Sequence, residues 1–248
     1  MDNAISSSGE KKGWFATTLW SQVVAASDPE KTHGLLALEA LCERYWYPLY
    51  AFARQKGAGH EDARDLVQGF FEQLLSRSYL TQADPDRGRF RSFLIGSFKH
   101  YTQNQRMKNQ AQKRGCGQIH MSLDDPDIED KFKAESGHDS NPERDFDRRW
   151  ALSLLEGVMK DLRGEWKSQN RLSEFEQLKP HMLKEGDLEP YHEMAQRMKI
   201  TEAAFKMKIK RLREQYRDLL HRKIADTVQH PSEVQEELAY LQKCLIGA

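Results

Sequence analysis

Apolar residues recur at helical spacing through most of this chain, and the stretch His60 to Leu75 shows the pattern most clearly. At about 100° per residue, one half of its helical circumference is apolar and consists of Ala63, Leu66, Val67, Phe70, Phe71, Leu74 and Leu75. The other half consists of Asp62, Asp65, Gln68, Glu72 and Gln73. Because such a helix buries one face, and strand patterns are almost absent from the chain, the sequence predicts an all-α fold.

Two further helices are predicted in the first half of the chain. Leucine and aromatic residues at three- and four-residue steps indicate one helix from Thr32 to Gln55. Another begins at Phe90 and ends near Arg114. We therefore expect an N-terminal extension, residues 1–31, followed by a first small helical domain, residues 32–114.

The segment 115–142 differs in composition from its surroundings. It is polar, acidic and punctuated by Gly and Pro, and helical periodicity resumes only at Phe146. Such a composition buries too little apolar surface to offset the entropy of ordering the chain. We expect a flexible acidic linker here, joining two small helical domains.

A single apolar stripe opens the second half of the chain. It consists of Phe146, Trp150, Leu154, Val158, Leu162 and Trp166. A further helix is expected from Ser173 to Leu183, and the chain closes with a helix that has Ser232 as its N-cap and Gln235 as its capping-box partner. These patterns predict a second domain, residues 143–224, and a C-terminal helical extension, residues 225–248.

Charge is balanced over the whole chain but segregated along it. The formal net charge is zero, yet the stretch from Arg87 to Leu123 holds eight Lys or Arg and no acid. From Asp124 to Asp147 ten acids stand against three basic residues. Segregated charge indicates charged partners better than the sum does.

Cysteine usage and hydropathy indicate a cytoplasmic protein. The chain has three cysteines, which are scattered and odd in number, as is typical of proteins from a reducing compartment. We expect no membrane insertion, because no apolar run is long enough to cross a bilayer. The segment KKGWFATTLWSQVVAAS resembles a secretory signal, but Thr, Ser and Gln interrupt its apolar part.

The stretch from Tyr191 to Leu220 has the layout of a helix-turn-helix. Met194, Ala195 and Met198 form the inner face of a short helix, Lys199 and Ile200 make the turn, and Thr201 caps the next helix. Small, basic and flexible residues occupy the outer side of that next helix, which suits entry into a DNA major groove: Ala203, Lys206, Met207, Lys210 and Arg211. Arg213 extends the positive charge along the helix towards phosphates. The competing interpretation is a solvated basic helix in an ordinary bundle.

The basic stretch of the first domain interleaves aromatic residues with cations and amides. Aromatic rings can stack on unpaired bases while cations hold the backbone, which is how single-stranded nucleic acid is bound. The polar residues of this set are Arg91, Lys99, His100, Gln103, Asn104, Arg106 and Lys108. The aromatic residues Phe93 and Phe98 are expected in the core rather than at the interface.

Three stretches in order, LEALCERYWYPLYAFARQKG, EDARDLVQGFFEQLL and DPDRGRFRSFLIGSFKH, resemble the first conserved domain of bacterial RNA polymerase sigma factors. With the later helix-turn-helix, the chain is similar to the extracytoplasmic-function (ECF) subfamily, which consists of two helical domains and a linker. The resemblance extends over residues 38–114 and 148–223. His100 stands where relatives often have Asn, which leaves the choice of the captured base open.

The resemblance implies two kinds of partner and no catalytic residue, metal or cofactor. The acidic and amide face of the second helix would bind the clamp helices in the largest subunit of core RNA polymerase, through Asp62, Asp65, Leu66 and Gln68. The basic stretch of the first domain would capture an unpaired base of the −10 promoter element, and the helix-turn-helix would read the −35 element. An anti-sigma factor or another regulator stays open as a third partner.

Two other interpretations compete with a sigma factor. Asp124, Asp125, Asp127 and Glu129 could hold a divalent metal in an enzyme, but no general base or nucleophile accompanies them, and a solvated linker explains them better. The second competing interpretation is a helix-turn-helix regulator that is not a polymerase subunit. It would leave the acidic face of the helix at His60–Leu75 unexplained.

Overall fold

The computed structural model describes residues 32–75, 89–111, 128–135, 141–184, 188–228 and 230–246. Within these ranges the chain is all-helical, without a strand, which confirms the predicted fold class for this part of the molecule. The helices are α1 (Thr32–Gln55), α2 (His60–Leu75), α3 (Phe90–Ala111), α4 (Ile128–Glu135), α5 (Pro142–Ser168), α6 (Leu172–Leu183), α7 (Tyr191–Arg197), α8 (Glu202–Ala225) and α9 (Val234–Ile246), with a 3₁₀ helix at Pro231–Glu233. None of these helices is long and apolar enough to cross a membrane.

The described helices belong to two compact units. Unit 1 contains the residues up to Leu152 and those from Ala225 onwards, and unit 2 contains Ser153–Ile224. The sequence placed the first of these boundaries at residues 142–143 and treated 225–248 as a separate extension. The apolar stripe of α5 runs without a break from Phe146 to Trp166, so periodicity gives no sign of a division inside that helix.

The core of unit 1 is built from aromatic residues of α1, α2 and α3. Tyr45, Leu49, Phe70 and Phe98 are each at most 1% exposed. The rings of Phe70 and Phe98 lie 5.1 Å apart, edge to face, a favourable geometry for aromatic pairs. The predicted bounds of α1 and α2 are confirmed, and this core buries apolar residues of both helices.

A glycine allows α2 and α3 to approach each other closely. A Cβ atom at Gly69 would collide with the hydroxyl of Tyr101, which is a buried residue of α3. Glycine costs a helix interior about 0.5–1 kcal/mol relative to alanine, so its presence in the middle of α2 needs a packing reason. The close contact with Tyr101 supplies that reason.

The core of unit 2 joins one face from each of its four helices. The predicted apolar stripe of α5 is confirmed as buried, as are Met194 and Ala195 of the predicted inner face of α7, whereas Met198 is partly buried. The fully buried members include Val158, Leu162 and Trp166 from α5, Phe175 and Leu178 from α6, Met194 and Ala195 from α7, and Phe205, Ile209 and Leu212 from α8. Trp166 also donates its indole N–H to Gln215 at 3.0 Å.

The structure differs from the expected flexible linker at Ile128–Glu135, which forms α4. Ile128 is only 3% exposed, and the Glu129 carboxylate accepts hydrogen bonds from Tyr50 at 2.6 Å and from Arg54 at 3.0 Å. The ring of Phe132 lies edge-on to that of Tyr50. Acidic residues read as solvated from composition are therefore held by partners on α1. The other residues of 115–140 lie outside the described ranges.

The start of the C-terminal helix also differs from the prediction. The 3₁₀ helix begins at Pro231, and the backbone N–H of His230 donates to the Glu233 carboxylate at 3.3 Å. The capping interaction thus involves His230 and Glu233, two residues earlier than the predicted pair. A helix that opens with a 3₁₀ turn shifts the N-terminus without changing the apolar periodicity that follows.

Candidate functional site

A tight turn joins α7 to α8 in unit 2. Lys199 adopts the left-handed conformation, with φ of 55°, as expected for the turn position. The backbone N–H of Ile200 donates to Ala195 at 2.9 Å, which closes the turn on α7. Thr201 caps α8, because its Oγ1 accepts from the N–H of Ala204 at 3.1 Å. The predicted turn and N-cap are confirmed as local structure.

The side of α8 that points away from the unit 2 core is exposed and mostly basic. This outer face of α8 consists of Ala203, Lys206, Met207, Lys210 and Arg211. The lysines contact acids one turn away on the same helix: Lys206 lies 2.5 Å from Glu202, and Lys210 lies 3.9 Å from Glu214. Their side chains keep 57% and 67% of their surface in solvent. Exposed pairs of this kind hold their partners weakly, so the lysines are accessible to a ligand.

Arg213 has a different environment from the outer face of α8. Its guanidinium donates to the carbonyl oxygens of His181 at 2.8 Å and Met182 at 3.2 Å, at the end of α6. A cation on the last carbonyls of a helix satisfies acceptors that have no intrahelical donor. Arg213 therefore stabilises α6 in this structure, and its predicted contact with DNA stays a prediction.

Three of the predicted polymerase-binding residues lie on the polar side of α2, and the fourth, Leu66, lies at the edge of its apolar side. Asp62 and Asp65 are exposed, whereas Leu66 and Gln68 are half-buried. Gln68 donates to Glu72 at 3.1 Å, one turn further along the helix. The two carboxylates are thus presented to solvent on one helix surface, with an apolar and an amide side chain beside them. Such a surface is complementary to a basic groove.

The C-terminal half of α3 carries the exposed part of the predicted single-strand interface. His100, Gln103, Arg106 and Lys108 are exposed, and the Asn104 amide lies 3.0 Å from His100 Nδ1. Met107 is also 55% exposed between the two cations. Cations, amides and an apolar side chain therefore share one helix surface, which can contact both backbone and bases of a nucleic acid.

An open cavity of about 470 Å³ lies beside this half of α3. Apolar side chains, cations and one carboxylate line it, among them Phe52, Leu66, Lys56, Lys99, Arg106 and Glu143. Arg106 donates to the backbone carbonyl of Lys56 at 2.9 Å, which holds its guanidinium at the rim. The cavity therefore offers cations beside apolar side chains, and the Glu143 carboxylate in its lining is paired with Lys99.

The two remaining predicted cations of α3 contact acids from elsewhere in unit 1. Lys99 forms an ion pair with Glu143, the second residue of α5. Arg91 is 5% exposed, contacts Glu237 of α9, and lies 3.3 Å from Asp147. In this structure Arg91 is therefore inaccessible to DNA, contrary to the prediction. Its partners lie far away in sequence, so the basic pattern of α3 alone could not indicate its burial.

Burial and ion pairing shift the pKa values of these groups in opposite directions. Burial lowers the pKa of the Arg91 guanidinium, and the neighbouring Asp147 carboxylate opposes that shift. The hydrogen bond from Lys99 lowers the pKa of Glu143, as the hydrogen bond from Lys206 lowers that of Glu202. Burial raises the pKa of the Tyr240 hydroxyl, which also donates to Asp147. With their pKa values lowered, the carboxylates of Glu143 and Glu202 are ionised at neutral pH.

Sequence reasoning missed a set of buried polar residues that surround α1. Arg149 is 2% exposed and contacts Asp145 at 2.5 Å, Tyr47 at 2.5 Å, and Glu135 of α4. These acids had been assigned to a solvated linker and its edge. Glu135 pairs with Tyr47 and Arg149, which lie on other helices. No local sequence pattern indicates such a pairing.

The remaining candidates and the comparisons with known proteins give no further site. No cluster of His, Cys, Asp and Glu within the described ranges could hold a metal ion, and Asp124, Asp125 and Asp127 lie outside them. No protein-family model, no curated protein and no solved structure matches the chain.

Proposed function

We propose that this chain is a bacterial sigma factor of the ECF type, which binds core RNA polymerase and directs it to promoters. The observation that best supports the DNA-binding part of this proposal is the outer face of α8. Its residues are small, basic or flexible, they are exposed, and a hydrogen-bonded turn presents the start of α8. This is the arrangement in which a recognition helix enters a major groove. The proposal places the protein in the cytoplasm and requires no cofactor or catalytic residue.

In this proposal α7 and α8 form the helix-turn-helix that reads the −35 element as duplex. Ala203 leaves room for close approach to the groove, and Met207 supplies an adaptable apolar contact. Lys206 and Lys210 give up their weak pairs with acids of the same helix and contact base edges or phosphates. Arg213 is left out of this contact set because it holds the end of α6.

The polar side of α2 binds the clamp helices of the polymerase's largest subunit. The sequence resemblance assigns Asp62, Asp65, Leu66 and Gln68 to this contact, and the exposure of the two aspartates supports it. Leu66 adds a partly exposed apolar side chain next to the acids. Complementary charge speeds the encounter and fixes the orientation, while the apolar contact contributes affinity.

The C-terminal half of α3 binds the unpaired strand of the −10 element. His100, Gln103, Asn104 and Lys108 offer hydrogen bonds and charge on one surface, and Arg106 and Lys99 line the neighbouring cavity. Lys99 reaches a phosphate by exchanging its exposed ion pair with Glu143. This assignment is the part of the proposal that depends most on the sequence resemblance.

Binding to core RNA polymerase tests the proposal. The double variant Asp65→Arg, Gln68→Ala keeps the apolar side of α2 and places a cation against a basic groove, so we expect holoenzyme formation to be lost. Asp130→Arg is the matched control, because it makes the same charge change at an exposed acid of α4. Size-exclusion chromatography with purified core enzyme measures complex formation. Wild-type binding by the double variant, or equal losses in both variants, would exclude α2 as the docking surface.

A DNA-binding regulator that is not a polymerase subunit is the second candidate. It is favoured by unit 2, which has its own core and carries the outer face of α8 without using α2. The two candidates differ in one observable. A sigma factor copurifies with core polymerase in the absence of DNA, whereas such a regulator binds its duplex and does not.

A further inference from the structure

The C-terminal helix α9 contacts the rest of unit 1 through a buried carboxylate as well as apolar side chains. Its two buried residues are Glu237 and Leu241. Glu237 is 1% exposed, and its carboxylate contacts Arg91 and lies 3.0 Å from Arg89. A carboxylate is therefore buried against the two arginines at the start of α3, and a single fully buried apolar side chain of α9 accompanies it.

Aromatic rings complete the enclosure of these arginines. The Arg91 guanidinium lies 4.2 Å from the ring centre of Tyr240 on α9 and 4.7 Å from that of Trp150 on α5. Arg89 lies 5.3 Å from the same Tyr240 ring. A guanidinium that lies over an aromatic face is held by cation–π attraction. It keeps its charge and its N–H donors, which are the groups that contact the backbone of single-stranded nucleic acid.

We propose that α9 covers a phosphate-binding site formed by Arg89 and Arg91, and that the Glu237 carboxylate takes the place of a nucleic-acid phosphate. Both groups are anions that accept charge-assisted hydrogen bonds from guanidinium, so they compete for the same donors. Arg89 and Arg91 belong to α3 or precede it directly, so this site continues the exposed half of that helix. The inference rests on the proposed function of α3 as the single-strand contact.

The contacts between α9 and the two arginines allow α9 to dissociate from them. When α9 leaves, Glu237 returns to water and Arg91 keeps the Asp147 carboxylate at 3.3 Å, so no buried charge is left without a partner. A nucleic acid that arrives at the exposed half of α3 then supplies phosphates in place of the lost carboxylate. Nucleic acid therefore binds the uncovered state more tightly, and the population shifts towards it by mass action.

Full-length variants test the cover by binding to a labelled single-stranded oligothymidylate, measured by fluorescence anisotropy. Glu237→Gln removes the charge that holds Arg91, and we expect it to raise affinity at least ~5-fold at about 0.1 M salt. The slope of log affinity against log salt should steepen by roughly 1.4, since two more phosphates are neutralised. Leu241→Ala loosens α9 without changing charge and should raise affinity in the same direction.

Asp130→Asn is the matched control, because Asp130 is an exposed acid that loses the same charge and pairs with Lys133 of its own helix, and it should change affinity less than ~2-fold. Adding Arg89→Gln to Glu237→Gln should remove the gain. Equal binding by wild type, Glu237→Gln and Leu241→Ala would contradict the proposed cover. If Lys99→Gln with Arg106→Gln, added to each of these three proteins, still weakens binding, the proposed single-strand contact of α3 is retained. If no variant binds the oligonucleotide, the proposed function of α3 fails together with the cover.

Discussion

Helices α3 and α8 are both basic, and the sequence predicts a nucleic-acid contact for each, yet their cations have different partners. On α8, Lys206 and Lys210 contact Glu202 and Glu214 of the same helix and stay more than half exposed. On α3, Arg91 is buried against Glu237 of α9. The first arrangement leaves charge at the surface, and the second neutralises it inside unit 1.

The difference shows that whether a cation is available to nucleic acid depends on its partner rather than on the helix that carries it. Pairs one turn apart on an exposed helix contribute about 0.3–0.5 kcal/mol, so a phosphate displaces them easily. Removing one member of a buried pair costs about 3–5 kcal/mol, because it leaves an uncompensated charge. We therefore expect α8 to bind DNA without rearrangement, whereas the start of α3 requires α9 to move first.

The largest expected effect concerns the stability of unit 1. Arg91→Gln leaves the buried Glu237 without its nearest cation and should lower the free energy of unfolding by about 3 kcal/mol. Arg211→Gln, on the exposed outer face of α8, should change it by less than ~0.5 kcal/mol. Differential scanning calorimetry of both variants measures this contrast. Equal small changes in the free energy of unfolding would mean that Arg91 and Arg211 contribute alike to stability.

The next effect concerns duplex DNA. Lys206→Ala with Lys210→Ala should weaken duplex binding about 30-fold and reduce the salt slope by about 1.8, as expected for two lost phosphate contacts. Lys208→Ala is the control on the same helix, because Lys208 contacts Glu174 of α6 at 2.6 Å. Binding to a promoter opened by mismatches should fall much less than binding to the intact duplex. A comparable loss for Lys208→Ala would show that total charge matters, and not the outer face.

A smaller effect concerns one helical glycine in each unit and the atoms packed around it. Gly69→Ala brings a Cβ against the Tyr101 hydroxyl and should destabilise unit 1 by about 1 kcal/mol, the overpacking cost being larger than the gain in helix propensity. Gly164→Ala, where no atom lies within 4 Å, should stabilise unit 2 by about 0.5–1 kcal/mol. Urea unfolding curves give both values. The same sign for both variants would contradict the close approach of α2 and α3.

The smallest effect is a pH dependence. The lysine partners lower the pKa values of Glu143 and Glu202, so each pair contributes stability above the ordinary carboxyl pKa and loses it as pH falls through the lowered value. Lys99→Gln should raise the pKa of Glu143 towards its ordinary value and leave Glu202 unchanged, and Lys206→Gln should do the reverse. Carboxyl titration by NMR distinguishes the two. No response in either variant would remove these ion pairs from the account.

Local patterns were sufficient for much of the fold. The bounds of α1 and α2, the apolar stripe of α5, the inner face of α8 and the N-cap at Thr201 all follow from periodicity and capping chemistry. These features depend on residues within one or two helical turns of each other. Propensity and periodicity act over that distance, which is why the sequence predicts them.

Long-range pairing explains what the sequence did not predict. The acids of α4 were assigned to a solvated tether, although Glu129 is held by Tyr50 and Arg54 of α1. Arg91 was assigned to DNA, although α9 buries it, and Arg213 was assigned to DNA, although it binds the end of α6. Each partner lies more than one helix away in sequence. A charged residue has the same local pattern whether it is solvated or paired at long range.

Transcription initiation tests the proposed function most directly. Purified core RNA polymerase is incubated with fragmented DNA from the source genome, with and without the full-length protein, and the 5′ ends of the transcripts are sequenced. The account predicts discrete new start sites that share an upstream element and disappear with Lys206→Ala plus Lys210→Ala, while Lys208→Ala retains them. Start sites that are identical with and without the protein would contradict it.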